Sequence, residues 1–318
     1  MDSKHCSNFQ CVKAFNRAFD MVSKEPKQYI GYDEDINGCI KINPYKYFRS
    51  NVFGLHSLLR LRLNLINEEI GELNDAIKIN DIKETRDAIG DILYVVYGMA
   101  DILGIDIDYI FTNKLQNEVY KYYVDENNVD ISTNNIDNIN TAFIDKIILA
   151  SENGSKSITN FNYVKIFCNE LIDNKLNNPS KTILDKINEL YLNLETECQN
   201  EKIYFDEYNK KCDNDNKILI VSNYIYNLLK YTYLLAIIYN IDSDMDFSII
   251  HESNMSKLCD TEQDAKDTVI SYENKYKSGN SPYDSPYYYE LPELKKWIVK
   301  NKSSGKALKN IKYKEVNF

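Results

Sequence analysis

The stretch that decides the fold is RLNLINEEIGELNDAI (62–77), followed after a short connection by ETRDAIGDILYVVYGMADILGID (84–106). In both segments the apolar residues recur every three or four positions. This is the spacing of an α-helix that buries one face against a neighbour. The short connection between the two segments favours neighbouring antiparallel helices, which is the basic unit of a helical bundle.

The ends of these two helices can be read from their flanking residues. The apolar spacing begins near Leu55, so we predict one helix from about 55 to 79 and the next from about 81 to 103. Asp81 followed by Glu84 resembles a capping box, because an acidic side chain can accept hydrogen bonds from the first free N–H groups of a helix. Gly104 provides a stop, since glycine readily adopts the left-handed conformation that ends many helices.

The rest of the chain also favours helices. Only 10 Gly and 6 Pro occur in 318 residues, which is few for an architecture with many turns. Further helices are predicted over 8–22, from about Asp106, and over 261–276. Residues 23–52 resemble a long loop, and 281–293 a turn-rich segment. WIVKNKSSGKALKNIKY (297–313) predicts two short strands around a turn at Ser303–Gly305.

Pieces of the first half return in the second half, which predicts an internal duplication. The fold class is therefore all-α, with tandem four-helix-bundle repeats and a small C-terminal β-hairpin. The predicted divisions are a first repeat (1–124), a polar linker (125–157), a degenerate second repeat (158–277) and a C-terminal tail (278–318). The matching segments are 8–15 with 160–167, 66–73 with 187–194, and 99–111 with 235–247, the last pair at a shift of 136.

Charge and composition limit the function. The net charge of −10 argues against a binder of nucleic acid polymers, which needs a basic surface. No run approaches 18 apolar residues, so no membrane span is predicted, and the polar N-terminus lacks the apolar core of a signal peptide. The seven cysteines are scattered and odd in number. This is typical of reduced thiols, and we expect a cytoplasmic protein.

Five acidic residues lie in strongly apolar surroundings on the two central helices. Residues three and four apart share a helix face, so two antiparallel helices would bring these carboxylates together. The alternative is that they are ordinary solvated helix charges, as most Asp and Glu are. A cluster of carboxylates is costly to bury unless a cation neutralises it, and oxygen ligands favour Mg²⁺, with Mn²⁺ as the alternative. The predicted ligands are Glu69, Glu72, Asp87 and Asp91, and Glu68 or Glu69 is the predicted catalytic base.

The two quoted segments resemble the MazG-like all-α nucleotide pyrophosphohydrolases, a group that includes phosphoribosyl-ATP pyrophosphohydrolase and the dimeric dUTPases. The pattern of these families is E-x-x-E on one helix and E-x-x-D on the next. Glu69 and Glu72 match the first pair, and Asp91 matches the final Asp. Ala88 stands where the family has its second Glu, and Asp87 or, less well, Glu84 would substitute for it.

Under the shift of 136, Asp87 and Asp91 correspond to Asn223 and Asn227. Amides keep the shape of the carboxyls but lose the charge that attracts a cation. Only Glu189 is retained from the glutamate set. We therefore predict a second repeat without a metal, which acts as a pseudo-dimer partner within the chain. Fused second repeats of this kind resemble the single-chain relatives of the dimeric dUTPases, and further oligomerisation stays open.

Two groups of residues are predicted to contact the substrate. Asn254 and Lys257 are three apart near a helix end and resemble the phosphate-binding N-x-x-K/R elements of the family; the alternative is an ordinary exposed pair. Phe15, Asn16 and Phe19 on the first helix would stack on a base and hydrogen-bond its edge. Core packing is the alternative for both Phe.

The resemblance implies an enzyme that hydrolyses a nucleoside triphosphate to the monophosphate and pyrophosphate, in a house-cleaning role or directed at dUTP or dCTP. Three alternatives remain open at this stage. They are a phosphoribosyl-ATP pyrophosphohydrolase, a non-catalytic nucleotide-binding protein, and a plain helical scaffold. Ala88 favours a non-catalytic protein, whereas Asp87 beside it favours an enzyme.

Overall fold

The structure of the protein is a computed structural model. The described residues are 7–19, 32–34, 40–42, 52–108, 110, 179–199, 211–292 and 294–318. The predicted linker at 125–157 and the echo at 160–167 lie outside them. The fourth predicted helix begins as expected, with helical residues at 107, 108 and 110, and its continuation also lies outside.

The described architecture is mostly helical, with a two-stranded antiparallel hairpin near the C-terminus, so this part of the fold prediction is confirmed. The helices, in chain order, are α1 (Asn8–Ala18), α2 (Val52–Ile79), α3 (Ile82–Leu103), α4 (Pro179–Gln199), α5 (Lys211–Ile238), α6 (Ser243–Met255) and α7 (Glu262–Lys277). The strands are β1 (Tyr32–Glu34), β2 (Ile40–Ile42), β3 (Pro286–Leu291) and β4 (Lys296–Asn301).

Helices α2 and α3 form the predicted helical hairpin, and its turn follows from two capping interactions. The Asp81 side chain accepts hydrogen bonds from the backbone N–H groups of Lys83 and Glu84, at 3.0 and 3.1 Å. These bonds satisfy two of the free donors at the start of α3. At the other end Gly104 adopts a left-handed conformation with φ of 68°, as predicted. Both boundaries of α3 were therefore correct.

A second pair, α4 and α5, packs beside the first. Helix α3 contacts α5 and helix α2 contacts α4. The hydroxyls of Tyr97 and Tyr233, residues 136 positions apart, lie 3.1 Å from each other. Asn74 and Asn188 exchange reciprocal side-chain hydrogen bonds of 3.1 and 3.3 Å. The contact of Tyr97 with Tyr233, which the shift of 136 relates, is of the kind expected where two related units meet across a pseudo-twofold axis. The duplication itself stays a prediction.

One apolar core connects α1 to α6 and reaches the C-terminal strands. It includes Phe9 of α1, Ile92 of α3, Ile225 of α5 and Ile298 of β4, each with at most 1% of its surface exposed. A smaller cluster under α7 contains Cys259, Ala265, Val299 and Leu308. Within the described residues, no helix has the length and apolar character needed to span a bilayer.

The C-terminal hairpin differs from the prediction in its pairing. Strand β4 pairs with β3, so PYYYEL (286–291), which was predicted to be turn-rich, is a strand. Tyrosines favour a pleated surface, and Pro286 is tolerated because it stands at the first position of the strand. The turn at Ser303–Gly305 does exist: Leu308 N–H donates to the Val299 carbonyl at 2.9 Å. The returning segment forms only an isolated bridge with β4, between Ala307 and Lys300.

The region predicted to be a long loop, 23–52, contains a second small hairpin. Tyr32 pairs with Ile42, and Glu34 pairs with Ile40. The glycines and prolines around these residues suggested a loop. The short alternation of Ile40, Lys41 and Ile42 was the strand signal that the prediction missed. The prediction of an unbroken loop was therefore wrong for these six residues.

Candidate active site

The acidic residues of α2 and α3 lie at the solvent edge of the helical hairpin, directly above its core. On α2 the side chains of Ile70 and Leu73 are buried, whereas Glu68 and Glu72 are exposed and Glu69 is half-buried between them. On α3, Asp87 and Asp91 are half-buried. The helical repeat explains this arrangement, because each acidic residue except Glu68 adjoins a buried position in the sequence, and its carboxyl group reaches the boundary with water.

Electrostatic coupling shows that the carboxyls of the two helices converge. Burial, together with the charges of Asp91 and the neighbouring glutamates, raises the pKa of Glu69 to about 9. Burial and the charge of Asp87 raise the pKa of Asp91 to about 7. Both groups are therefore held where loss of a proton costs free energy, which is common at functional sites. The prediction that the carboxylates meet across α2 and α3 is supported by these mutual effects.

Glu72 and Asp87 complete this carboxylate cluster, which consists of Glu68, Glu69, Glu72, Asp87 and Asp91. Burial and the nearby carboxylates raise the pKa of Glu72, and burial and Glu84 raise that of Asp87. Oδ1 of Asp87 is fully buried and has no hydrogen-bond partner. A buried carboxylate oxygen without a partner is costly, so it marks a place where a ligand would be stabilised.

A lysine from the second half of the chain faces these carboxyls. Lys257 follows α6, and its pKa is lowered by burial, an effect that Asp91 and Glu69 oppose. Its ammonium donates a 2.6 Å hydrogen bond to the Asn254 side-chain oxygen. The structure therefore brings the predicted phosphate-binding pair to the edge of the carboxylate cluster.

Gly90 allows α6 to approach α3 closely at this position. A Cβ atom at Gly90 would lie 2.1 Å from Cδ1 of Ile250, which is buried. Gly90 is adjacent to Asp91, and Ile250 precedes Asn254 by one helical turn. The missing side chain thus helps to set the distance between the carboxylates of α3 and the amide and ammonium groups of the second half.

An aromatic cluster lies beside Asp91, and of its members only Phe15 was assigned a role from the sequence. Tyr94, one turn after Asp91, stacks on Phe247 with ring centroids 5.4 Å apart. Its hydroxyl lies 3.0 Å from Nδ1 of His251, and Phe15 meets its ring edge-on at 5.3 Å. The signal in the sequence was the i to i+3 spacing of Asp91 and Tyr94, which places both on one helix face.

Phe15, Asn16 and Phe19 lie in the protein interior. The rings of Phe15 and Phe19 stack at 4.1 Å, and Asn16 has no exposed surface. The Asn16 amide donates to Asp101 at 2.8 Å and accepts a hydrogen bond from Arg62. The contacts described for these three residues are thus packing and internal hydrogen bonds, and their role in base recognition stays a prediction.

The residues of the second half that were predicted to correspond to the carboxylates make different contacts. Asn227 donates its amide to the Asn223 carbonyl at 2.8 Å, a contact within α5. Glu189 pairs with Lys186 at 2.9 Å on the exposed side of α4. These residues form local helix contacts, in contrast to the coupled carboxyls on α2 and α3.

The chemistry of the carboxylate cluster suits a hard divalent cation. All of its donors are oxygens, its members raise one another's pKa, and Asp87 has an oxygen without a partner. Among the described side chains, no three His, Cys, Asp or Glu residues are close enough together to form a ready-made metal site. The fit therefore rests on the type and position of the donors.

Comparison with known proteins identifies the same region. The sequence profile of the phosphoribosyl-ATP pyrophosphohydrolase family matches residues 33–117, about a quarter of the chain, and this range includes all five acidic residues. The matched segment is similar to that family, which belongs to the MazG-like all-α superfamily. A pyrophosphohydrolase-type activity is supported by this match, and the resemblance drawn from the sequence is confirmed.

Similarity to one viral protein extends well beyond the matched segment. An uncharacterized protein of Acanthamoeba polyphaga mimivirus is 29% identical over 321 residues, which cover 100% of this chain and 96% of that protein. The similarity therefore includes the second half and the C-terminal tail. No solved structure matches the chain.

Proposed function

We propose that the protein is a Mg²⁺-dependent nucleoside triphosphate pyrophosphohydrolase that converts a (d)NTP and water to the monophosphate and pyrophosphate. The observation that carries this proposal is the carboxylate cluster of the matched segment facing Lys257. Carboxylates alone would repel a polyphosphate, and ammonium groups alone would bind it without activating water. A site that contains both can hold a substrate and hydrolyse it.

The proposal gives the acidic residues and the Asn254–Lys257 pair separate roles. Glu69, Glu72, Asp87 and Asp91 would hold Mg²⁺, or Mn²⁺ in its place. When bound, the ion would supply positive charge to the phosphate oxygens and polarise the attacking water. Asn254 and Lys257 would bind the phosphates from the opposite side, as an amide donor and a point charge.

The hydrolytic step needs a base near the attacking water. Glu68 or Glu69 would accept a proton from this water while its oxygen forms a bond to the α-phosphorus. The bond from that phosphorus to the bridging oxygen then breaks, and pyrophosphate leaves. Glu69 is the better placed of the two, because it is half-buried beside Asp91 whereas Glu68 is exposed. Its carboxyl must be ionised to accept a proton, and a cation bound to the cluster would offset the raised pKa.

Phosphoribosyl-ATP is the second candidate substrate, because the family whose profile matches is named for its hydrolysis. A third candidate is a nucleotide-binding protein without turnover. Ala88 favours this reading: it stands where the related enzymes have a Glu, and it is buried with 1% exposure. Asp87 beside it provides the carboxylate on which catalysis would depend.

The deciding experiment measures products for each dNTP, each NTP and phosphoribosyl-ATP, with and without Mg²⁺. We expect metal-dependent release of pyrophosphate and a monophosphate, with one preferred base. Asp91→Asn should reduce turnover at least 100-fold and leave the circular dichroism spectrum unchanged. Asp75→Asn is the matched control, since Asp75 lies on α2 but pairs with Lys78 in solvent.

Three outcomes would count against the proposal in different ways. Orthophosphate release would mean cleavage of a different anhydride bond. A fully active Asp91→Asn variant would remove the site assignment. No turnover of any nucleotide with Mg²⁺ or Mn²⁺, together with measurable nucleotide binding, would favour the non-catalytic alternative.

A further inference from the structure

The last thirteen residues form one wall of the candidate active site. This C-terminal segment, 306–318, runs from the turn after β4 across the end of α6 to the start of α3. It belongs to neither the matched range 33–117 nor the helical pairs that carry the carboxylates. Its position is set by a series of hydrogen bonds to Ser253, Ser256 and Leu258, the last two of which flank Lys257.

Asn310 is the anchor of the C-terminal segment. Its buried side-chain amide donates to the carbonyls of Ser256 and Leu258, at 2.8 and 2.7 Å. These two residues flank Lys257 in the sequence. The backbone around Lys257 is thus held by the C-terminal segment, and a shift of one would move the other.

Further bonds hold the segment along α6. Ser253 donates to the Lys314 carbonyl at 2.8 Å, and Lys314 N–H donates to the Ser256 hydroxyl at 2.9 Å. At its far end the ring of Phe318 packs 4.5 Å from the Arg86 guanidinium. Arg86 directly precedes Asp87, so the segment contacts the start of α3 as well as the residues around Lys257.

Lys309 is presented to solvent by this arrangement. It is exposed between buried Leu308 and buried Asn310, and its ammonium lies 4.3 Å from the centroid of the Tyr313 ring. Burial raises the pKa of Asp87 and Asp91, and Lys309 acts on both carboxyls in the opposite direction. Lys309 directly precedes Asn310, whose side chain bonds to both residues that flank Lys257, so Lys309 lies on the side of the site from which Lys257 faces the carboxyls.

Lys306 adds a third ammonium on the same side. The charges of Lys306 and Lys309 both lower the pKa of Lys257, in the same direction as burial. Three ammonium groups are costly to hold near one another without a compensating anion. With a divalent cation held by the carboxylates of α2 and α3, a bound polyphosphate would provide such an anion.

We propose that Lys309, supported by Lys306, is a further substrate-binding residue that takes the β- and γ-phosphates, the part of the substrate that leaves as pyrophosphate. This inference rests on the proposed function, because it assigns a polyphosphate to the same site. It predicts that Lys309 distinguishes a triphosphate from a monophosphate, which presents no β- or γ-phosphate to an ammonium.

The test measures binding without turnover. The full-length protein is titrated calorimetrically with an α,β-methylene nucleoside triphosphate and with the corresponding monophosphate, both in Mg²⁺. For Lys309→Gln we expect a loss of affinity for the triphosphate analogue of about 10- to 100-fold, since a charged hydrogen bond contributes about 1.5–3 kcal/mol. Affinity for the monophosphate should change less than twofold.

Two variants serve as controls. Lys302→Gln removes an exposed lysine of the same tail that lies outside these contacts, and it should bind like the wild type. Lys309→Arg should recover most of the lost affinity, because it restores the charge. Thermal denaturation of each variant checks that the fold is kept.

The result that overturns the inference is unchanged triphosphate binding in Lys309→Gln, or an equal loss for triphosphate and monophosphate. Failure of the inference can be told apart from failure of the proposed function. If the wild type binds the analogue and Lys309→Gln does not, but no nucleotide is hydrolysed, the binding role stands and the catalytic proposal fails. If the wild type binds no triphosphate, the inference is wrong.

Discussion

Glu69 and Asp91 make the stability of the protein depend on pH. Burial and neighbouring carboxylates raise the pKa of Glu69 to about 9 and that of Asp91 to about 7. In the unfolded chain both groups titrate near pH 4. Between these values the folded state binds more protons than the unfolded state, so the free energy of unfolding falls as pH rises. The window runs from about pH 4 to about pH 9.

The measurement is thermal unfolding between pH 5 and pH 8 in the presence of a metal chelator. We expect the melting temperature of the wild type to fall over this range and the fall to be smaller in Glu69→Gln. Mg²⁺ should raise the melting temperature more at pH 8 than at pH 5, since it binds the ionised carboxylates. Asp75→Asn should keep the wild-type slope; a Glu69→Gln variant with that same slope would contradict the prediction.

The acidic residues of the site could be found from the sequence because charged residues inside apolar helix patterns are unusual. The aromatic partners of the site could not. Tyr94, Phe247 and His251 fit ordinary helix faces, and their contact depends on how α6 packs against α3. The internal bonds of Asn16 could not be predicted either, because its partners Asp101 and Arg62 are distant in the sequence.

At the scale of elements, a glycine determines how closely α2 and α3 pack. A Cβ atom at Gly98 would lie 2.5 Å from Nη1 of Arg62, whose guanidinium is buried and bonded to Asn16. Gly98→Ala should therefore displace Arg62 and lower the free energy of unfolding by about 1–3 kcal/mol. Urea denaturation measures this change.

The control is Gly71→Ala on α2, where a Cβ atom meets nothing within 4 Å. It should be neutral or slightly stabilising, because alanine is the better helix former. If Gly98→Ala is as stable as Gly71→Ala, Arg62 can relocate without loss and the close approach has no energetic importance.

A buried ion pair joins α3 to α6. Arg86 donates two hydrogen bonds to Asp246, at 2.6 and 2.8 Å, and the Asp246 side chain is fully buried. Arg86→Met would leave this carboxylate without its partner, so we expect destabilisation of about 3 kcal/mol by chemical denaturation. Adding Asp246→Leu should recover much of the loss, because it removes the unpaired charge. A double variant no more stable than Arg86→Met would contradict this explanation.

The helices were predictable because each carries its own signal, whereas the C-terminal pairing depends on contacts distant in sequence. The caps Asp81 and Gly104 are local, and they ended α3 where predicted. Strand β4 has candidates on both sides, PYYYEL before it and KALKN after it. Both contact β4, but only the first forms a continuous ladder, a choice that local propensity does not determine.

At the scale of the molecule, the second half completes the site without repeating it. Lys257 and the C-terminal segment supply the positive charge, and α5 supplies Tyr233 for the contact with Tyr97. The sequence suggested this difference between the two halves, because the predicted shift of 136 relates Asp87 and Asp91 to Asn223 and Asn227. The role of the tail could not be predicted, since it depends on Asn310 bonding to residues more than 50 positions away.

The packing of β4 predicts that the hairpin and the helical bundle unfold together. Ile298 belongs to the main core, whereas Val299 lies in the smaller cluster with Cys259 and Leu308. The strand is therefore buried on both faces and joins the two cores.

Trp297, the only tryptophan, packs against the smaller cluster and reports on this region. We expect its fluorescence and the helical circular dichroism to change at the same urea concentration.

Val299→Ala removes methyl groups from the smaller cluster. It should lower the free energy of unfolding by about 1–3 kcal/mol and shift both transitions equally. A fluorescence transition that moves alone, or precedes the loss of helix, would mean that the tail folds as a separate unit. A wall of the active site that opens independently would also detach Lys309 from the carboxylates without unfolding them.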